Sequence, residues 1–222
     1  MDAESKYKCI VFDVDGTLTQ TAPLIFESFN YVAEKYTGKT YTVPEIVSRF
    51  GPPEEMVISS LVGADKAKEA MDDYLRYYHR NHNKLARLFP GVKEMLNFLR
   101  ERSLHLAIFT GKCRATTNIT LEEFSILGYF DYIVTGNDVK SYKPSAEGLI
   151  TIINYFSLNP ENLLMVGDSR ADIEASRHAG VSVALALWDT FFVDDVLPDD
   201  VDCAFRSIEE FLGWLKEQIN HN

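Results

Sequence analysis

The stretch Ile10-Val11-Phe12-Asp13-Val14-Asp15-Gly16-Thr17-Leu18 limits what this chain can fold into. A branched apolar run that stops at two carboxylates and a glycine reads as a buried strand opening into a loop. Residues at i and i+2 of an extended chain point to the same side, so Asp13 and Asp15 are expected to look into one site. Two carboxylates at a buried strand end repel each other, and a divalent cation is the usual compensation. The expected chemistry makes Asp13 a nucleophile and Asp15 a proton carrier, with Mg2+ allowing the two acids to coexist.

The pattern then changes. From Thr21 to Leu85 only helical spacing is found, ending in a long amphipathic stretch, Lys66–Leu85, with Ala70-Met71, Tyr74-Leu75 and Tyr78 on one stripe. Such a block directly after a catalytic strand is expected to form a cap or lid, residues 20–85, inserted into a core made of 1–19 and 86–222. Beyond Pro90-Gly91, predicted helices (Val92–Glu101, Ala115–Phe124, Ser145–Phe156, Asp172–His178, Ile208–Ile219) alternate with predicted strands. The strands are Leu104–Phe109, Tyr132–Val134, Leu163–Val166, Val181–Leu187 and a short one at Cys203–Phe205. This alternation predicts an α/β fold with an open parallel sheet. Phe191–Asp202 is expected to be a long loop.

Ligands of open α/β sheets bind beyond the carboxyl ends of the strands. The groups expected there are Asp13 and Asp15, Thr110-Gly111-Lys112, Lys143-Pro144, and Gly167-Asp168 with Asp172. Carboxylates, a hydroxyl beside backbone N–H groups, and a lysine are the equipment of metal-assisted phosphoryl transfer. Asp13, Asp168 and a carbonyl of the first loop are candidate metal ligands, with Asp172 behind them. Thr110 and the N–H of Gly111 can hold phosphoryl oxygens, and Lys143 adds charge that gains value in the transition state. Lys112, Arg114 and Arg49 are candidates for substrate contact; for the first two, solvated surface cations are the competing reading, and for Arg49 an ordinary helix connection. His79 and His82 are expected on an exposed helix face, and Cys113 as a passive thiol.

Asp13-Val14-Asp15-Gly16-Thr17-Leu18 resembles the DxDGT signature of the haloacid dehalogenase-like hydrolase superfamily. Thr110, Lys143-Pro144 and Gly167-Asp168-Ser169-Arg170-Ala171-Asp172 are similar to its second, third and fourth motifs, in order. The resemblance implies a Rossmann-like core. It makes Asp13 the nucleophile and Asp15 the acid/base whose main-chain carbonyl ligates magnesium. It also points to the helical-cap subgroup typified by phosphoglycolate phosphatase, whose GxPxEE turn Phe50-Gly51-Pro52-Pro53-Glu54-Glu55-Met56 resembles. The expected activity is hydrolysis of a small phosphate monoester through an aspartyl-phosphate. A phosphomutase of the β-phosphoglucomutase type and a non-catalytic binding protein on the same fold are the alternatives. A dehalogenase is disfavoured because Asp15 is present. Gly111 stands where many relatives carry Asn.

Composition narrows the partners. With 22 Lys+Arg against 33 Asp+Glu the formal charge is −11, which disfavours nucleic acid and anionic membranes as partners but leaves room for a small phosphorylated metabolite. Three dispersed cysteines and the lack of a membrane-length apolar run or leader pattern predict a cytoplasmic protein.

Overall fold

The computed structural model describes residues 6–191 and 201–220. Its centre is strand β1 (Cys9–Phe12), whose four residues are all fully buried. Alternate side chains of β1 enter different cores, as the period of two requires. Ile10 and Phe12 face a layer holding Val92, Met95, Leu96 and Leu99 of α5 (Val92–Glu101) and Phe211 and Leu215 of α9 (Ile208–Asn220). Cys9 and Val11 face Leu149 and Ile152 of α7 (Glu147–Phe156) and Ile173 and Ala175 of α8 (Arg170–Ala179).

The other strands are β4 (His105–Phe109), β5 (Tyr132–Val134), β6 (Leu163–Gly167), β7 (Ser182–Ala186) and β8 (Cys203–Phe205). The six-stranded sheet runs β5-β4-β1-β6-β7-β8 with every pairing parallel. Successive crossovers build away from β1 in one direction and then the other, so a crevice opens at its carboxyl end. The predicted α/β open parallel sheet is therefore observed. Of the loop expected at Phe191–Asp202, residues 192–200 lie outside the described residues.

Between Gln20 and Arg87 the chain forms α1 (Ala22–Thr37), α2 (Val43–Val47), α3 (Glu54–Val62) and α4 (Ala64–Leu85). These have their own apolar cluster, with Phe29, Val32, Ile58, Tyr74 and Tyr78 among its most buried members. Cys113, Ala115 and Ile119 also pack in this cluster, so α6 (Arg114–Glu123) joins the insert to the sheet. Two strands that the periodicity did not predict close its base: β2 (Thr19–Gln20) pairs antiparallel with β3 (Arg87–Leu88). Two residues are too few to show a repeat. α8 also begins earlier than predicted, because Ser169 caps it through a reciprocal box with Asp172.

No helix among the described residues is long and apolar enough to cross a membrane.

Candidate active site

The β1 end is shaped by its own turn. Leu18 N–H (2.9 Å) and the Thr19 hydroxyl (3.1 Å) both donate to the Val14 carbonyl, and Gly16 N–H donates to Thr19 O at 2.8 Å. Gly16 has φ +76°, and a Cβ there would lie 2.2 Å from Asp168 Oδ2, so only glycine lets the two loops meet. Thr17 donates to Asp168 Oδ1 at 3.2 Å, and Trp188 Nε1 fixes the Thr17 carbonyl at 2.9 Å.

Asp13, Asp168 and Asp172 offer carboxylate oxygens that all lie within 4.8 Å of one another. Lys143, nearly buried, reaches Asp13 Oδ1 at 3.4 Å and donates to Asp172 Oδ1. Its ammonium lies 4.7 Å from the centre of the Phe109 ring. Asp172 is fully buried, accepting from the Ser169 hydroxyl (2.6 Å) and N–H (3.1 Å). It can sit there because Gly167 has no Cβ; one would approach Asp172 Cγ to 2.4 Å.

Burial pushes the Asp13 carboxyl up to about 6, with Asp172 and Asp15 adding to the rise and Lys143 opposing it. Burial, then Asp13 and Asp172, hold Asp168 well above the usual carboxylate range. Burial alone would lower the Lys143 ammonium, but Asp13 and Asp172 carry it above its ordinary value. Three acids against one lysine leave uncompensated negative charge. An all-oxygen donor set with that excess suits a hard divalent cation.

Asp15 does not join the three-acid cluster with its carboxylate. The strand ends at Phe12, so the i, i+2 rule lapses before Asp15 and the turn re-aims it towards the helical insert. There its Oδ1 accepts from the Thr21 hydroxyl and its Oδ2 lies 3.1 Å from Lys112 Nζ.

Thr110 is 2% exposed, its hydroxyl accepting from Lys112 N–H at 3.3 Å. Gly111 lies under the insert: a Cβ there would be 3.8 Å from the Gly51 carbonyl. Lys112 is 6% exposed, which corrects the surface-cation reading. Arg114 is committed at the end of β5, to the Asp138 carboxylate and, at 3.0 Å, the Ile133 carbonyl. Arg49 lies with its guanidinium 5.2 Å from the Tyr41 ring centre, and its buried Nε has no hydrogen-bond partner among the described residues. His79 is exposed and pairs with Glu123 at 2.9 Å, but His82, one turn beyond Tyr78 on the apolar stripe, is fully buried.

Several groups around the site escaped the sequence reading. Thr21 and Trp188 carried no signal, and Thr17 was marked by the DxDGT-like stretch without a partner being indicated. Glu54 lies in the GxPxEE-like turn, which marked it without indicating a partner. Ser169 was detectable, since Ser-x-x-Asp opening a helix is a capping pattern.

An open parallel sheet whose carboxyl edge gathers three carboxylates and a lysine, under a helical insert, defines a class of phosphate-handling α/β hydrolases. The chain belongs to the haloacid dehalogenase-like hydrolase family, whose profile matches residues 10–186. It is 33% identical to the pyrophosphatase PpaX of Halalkalibacterium halodurans over 91% of this chain and 94% of that one. It is 29% identical to a phosphorylated carbohydrates phosphatase of Thermotoga maritima over 96% of this chain and all of that one. In fold it is similar to the crystal structure of a predicted phosphoglycolate phosphatase from Haemophilus somnus, with a TM-score of 0.82 at 24% identity over 96% of this chain and 100% of that one. The chain is thus a hydrolase of the phosphatase type.

Proposed function

We propose that the protein is a magnesium-dependent phosphatase that hydrolyses a small phosphate monoester through an aspartyl-phosphate on Asp13. The reading rests on the buried cluster of Asp13, Asp168 and Asp172 with Lys143 between them. Asp13, Asp168 and the Asp15 main-chain carbonyl would hold the metal, with Asp172 behind. When bound, Mg2+ supplies positive charge that screens Asp13 from the phosphoryl oxygens it must approach.

The chain's own groups carry out two displacements. An Asp13 oxygen forms a bond to phosphorus as the bond to the leaving oxygen breaks, and Asp15 gives that oxygen its proton. Asp15 then takes a proton from water, which attacks the same phosphorus and returns Asp13 with release of inorganic phosphate. Thr110 and the Gly111 N–H bind the phosphoryl oxygens. Lys143 offsets charge on them and holds Asp172.

The two crossings at Thr19–Gln20 and Arg87–Leu88 serve as the hinge of a cap, residues 20–85, that closes over the core, 1–19 and 86–222, and excludes bulk water. Pyrophosphate and phosphorylated carbohydrates, acted on by similar proteins, head the substrate panel. Three free thiols, two of them buried, support placement in the reducing cytoplasm.

The test is phosphate release from pyrophosphate, phosphoglycolate and sugar phosphates with and without Mg2+, with Asp13→Asn as the blank. Turnover by the wild type, abolished by metal removal and reduced at least about 10³-fold in Asp13→Asn, is the expected result. Near-wild-type turnover by a folded Asp13→Asn would overturn the aspartyl-phosphate route.

A further inference from the structure

We propose that Lys112 is a positioning residue for Asp15, and that it acts only when the cap is seated. The inference rests on the proposed role of Asp15 as proton carrier. An ammonium has three donors, and Lys112 Nζ faces three acceptors: Asp15 Oδ2 at 3.1 Å, Tyr78 Oη at 3.1 Å and Glu54 Oε1 at 3.7 Å. One comes from the catalytic loop and two from cap helices, Glu54 from α3 and Tyr78 from α4.

Each cap partner is tied to the core a second time. The Glu54 carboxylate accepts from Cys113 N–H and, at 2.6 Å, from the Thr116 hydroxyl, and Tyr78 shares a 2.8 Å hydrogen bond with Thr120. Withdrawal of the cap would take two of the three acceptors from Lys112 and leave water in their place. Asp15 has its other oxygen on Thr21, next to the hinge strand β2. Both oxygens of the proton carrier are thus fixed, one from the hinge and one by a lysine whose own place depends on the closed cap.

Direct substrate binding by Lys112 would need an accessible ammonium. This one is 4% exposed at its side chain and already faces three acceptors. Its value to the reaction is geometric: a displacement of about 1 Å in a catalytic group can cost 10²-fold.

A double-mutant cycle in the full chain tests this, using the substrate found in the release panel. Lys112→Met is expected to lower kcat at least about tenfold, with KM changed by less than about threefold. In an Asp15→Asn background the same substitution is expected to add no further loss. Tyr78→Phe and Glu54→Gln are expected to lower kcat in the wild type and to add little to Lys112→Met. A raised KM with unchanged kcat would overturn the inference in favour of substrate binding, and multiplying losses with Asp15→Asn would overturn it in favour of independent roles.

A second cycle needs no turnover. Urea unfolding midpoints of Lys112→Met, Asp15→Asn and the double variant are expected to be non-additive, and additivity would overturn the coupling. An active wild type with additive cycles would remove this inference and leave the phosphatase reading standing. An inactive wild type would overturn the phosphatase reading and this inference with it, non-additive unfolding then marking a structural contact alone.

Discussion

His82 shows how one residue outside the acid cluster can set a pH response. It is fully buried between Tyr78 and Phe124, and neither ring nitrogen has a hydrogen-bond partner among the described residues. Burial depresses it from 6.5 to about 4, against the pull of Glu123 and Asp15, with Lys112 and His79 pushing the same way as burial. The unfolded chain therefore binds a proton that the folded chain refuses. The contribution is full above pH 6.5 and is lost as pH falls towards 4, by roughly 3 kcal/mol in all. Urea midpoints at pH 7.5 and 5 should separate in the wild type and draw together in His82→Phe; equal pH slopes would contradict this. An exposed face is expected for His82 because, as a metal pair, it and His79 lack acidic neighbours in sequence, but its i+4 relation to Tyr78 puts it on the buried stripe. Asp13 and Asp168 were legible because each directly follows a strand, and Lys143 through the Lys143-Pro144 motif. The burial of Lys112 was not, since Tyr78 and Glu54 reach it from distant helices.

At the scale of elements, Lys143 is held by packing as well as by charge. Its ammonium lies over the Phe109 ring of β4, and that ring rests on Gly148 of α7. A Cβ on Gly148 would lie 2.2 Å from the ring. A phenyl ring in a filled core has nowhere to turn, so Gly148→Ala should cost about 1–3 kcal/mol by overpacking and displace the platform under Lys143. Thermal unfolding would register the first effect and a lower kcat the second. An Ala variant as stable as the wild type would show that α7 can shift outward. The strands were read well here because parallel strands buried on both faces form unbroken apolar runs. Helix starts were read less well: α7 begins at Glu147 rather than Ser145, and Ser145 instead accepts from the Glu147 N–H at 3.2 Å.

The whole molecule carries a charge of −11 and concentrates three acids at the end of its central strand. A cation that binds the folded site and not the unfolded chain must stabilise the fold, by about 2.7 kcal/mol at a hundred times its dissociation constant. Thermal unfolding of the wild type should therefore move upward with added Mg2+, and Asp168→Asn should lose most of that movement. A shift that survives the substitution would place the ion elsewhere. The antiparallel pairing of Thr19 with Leu88 and Gln20 with Arg87 has a consequence for descent. The chain leaves the sheet and returns to it at neighbouring positions, so the sheet sees the helices between as a loop of almost no span. The cost of closing such a loop rises only slowly with its length. Lineages can lengthen, trim or exchange the insert while Asp13, Asp168 and Lys143 stay where they are. On the proposed mechanism, the bond that is broken and the molecule that carries it would be set by separate parts of one polypeptide.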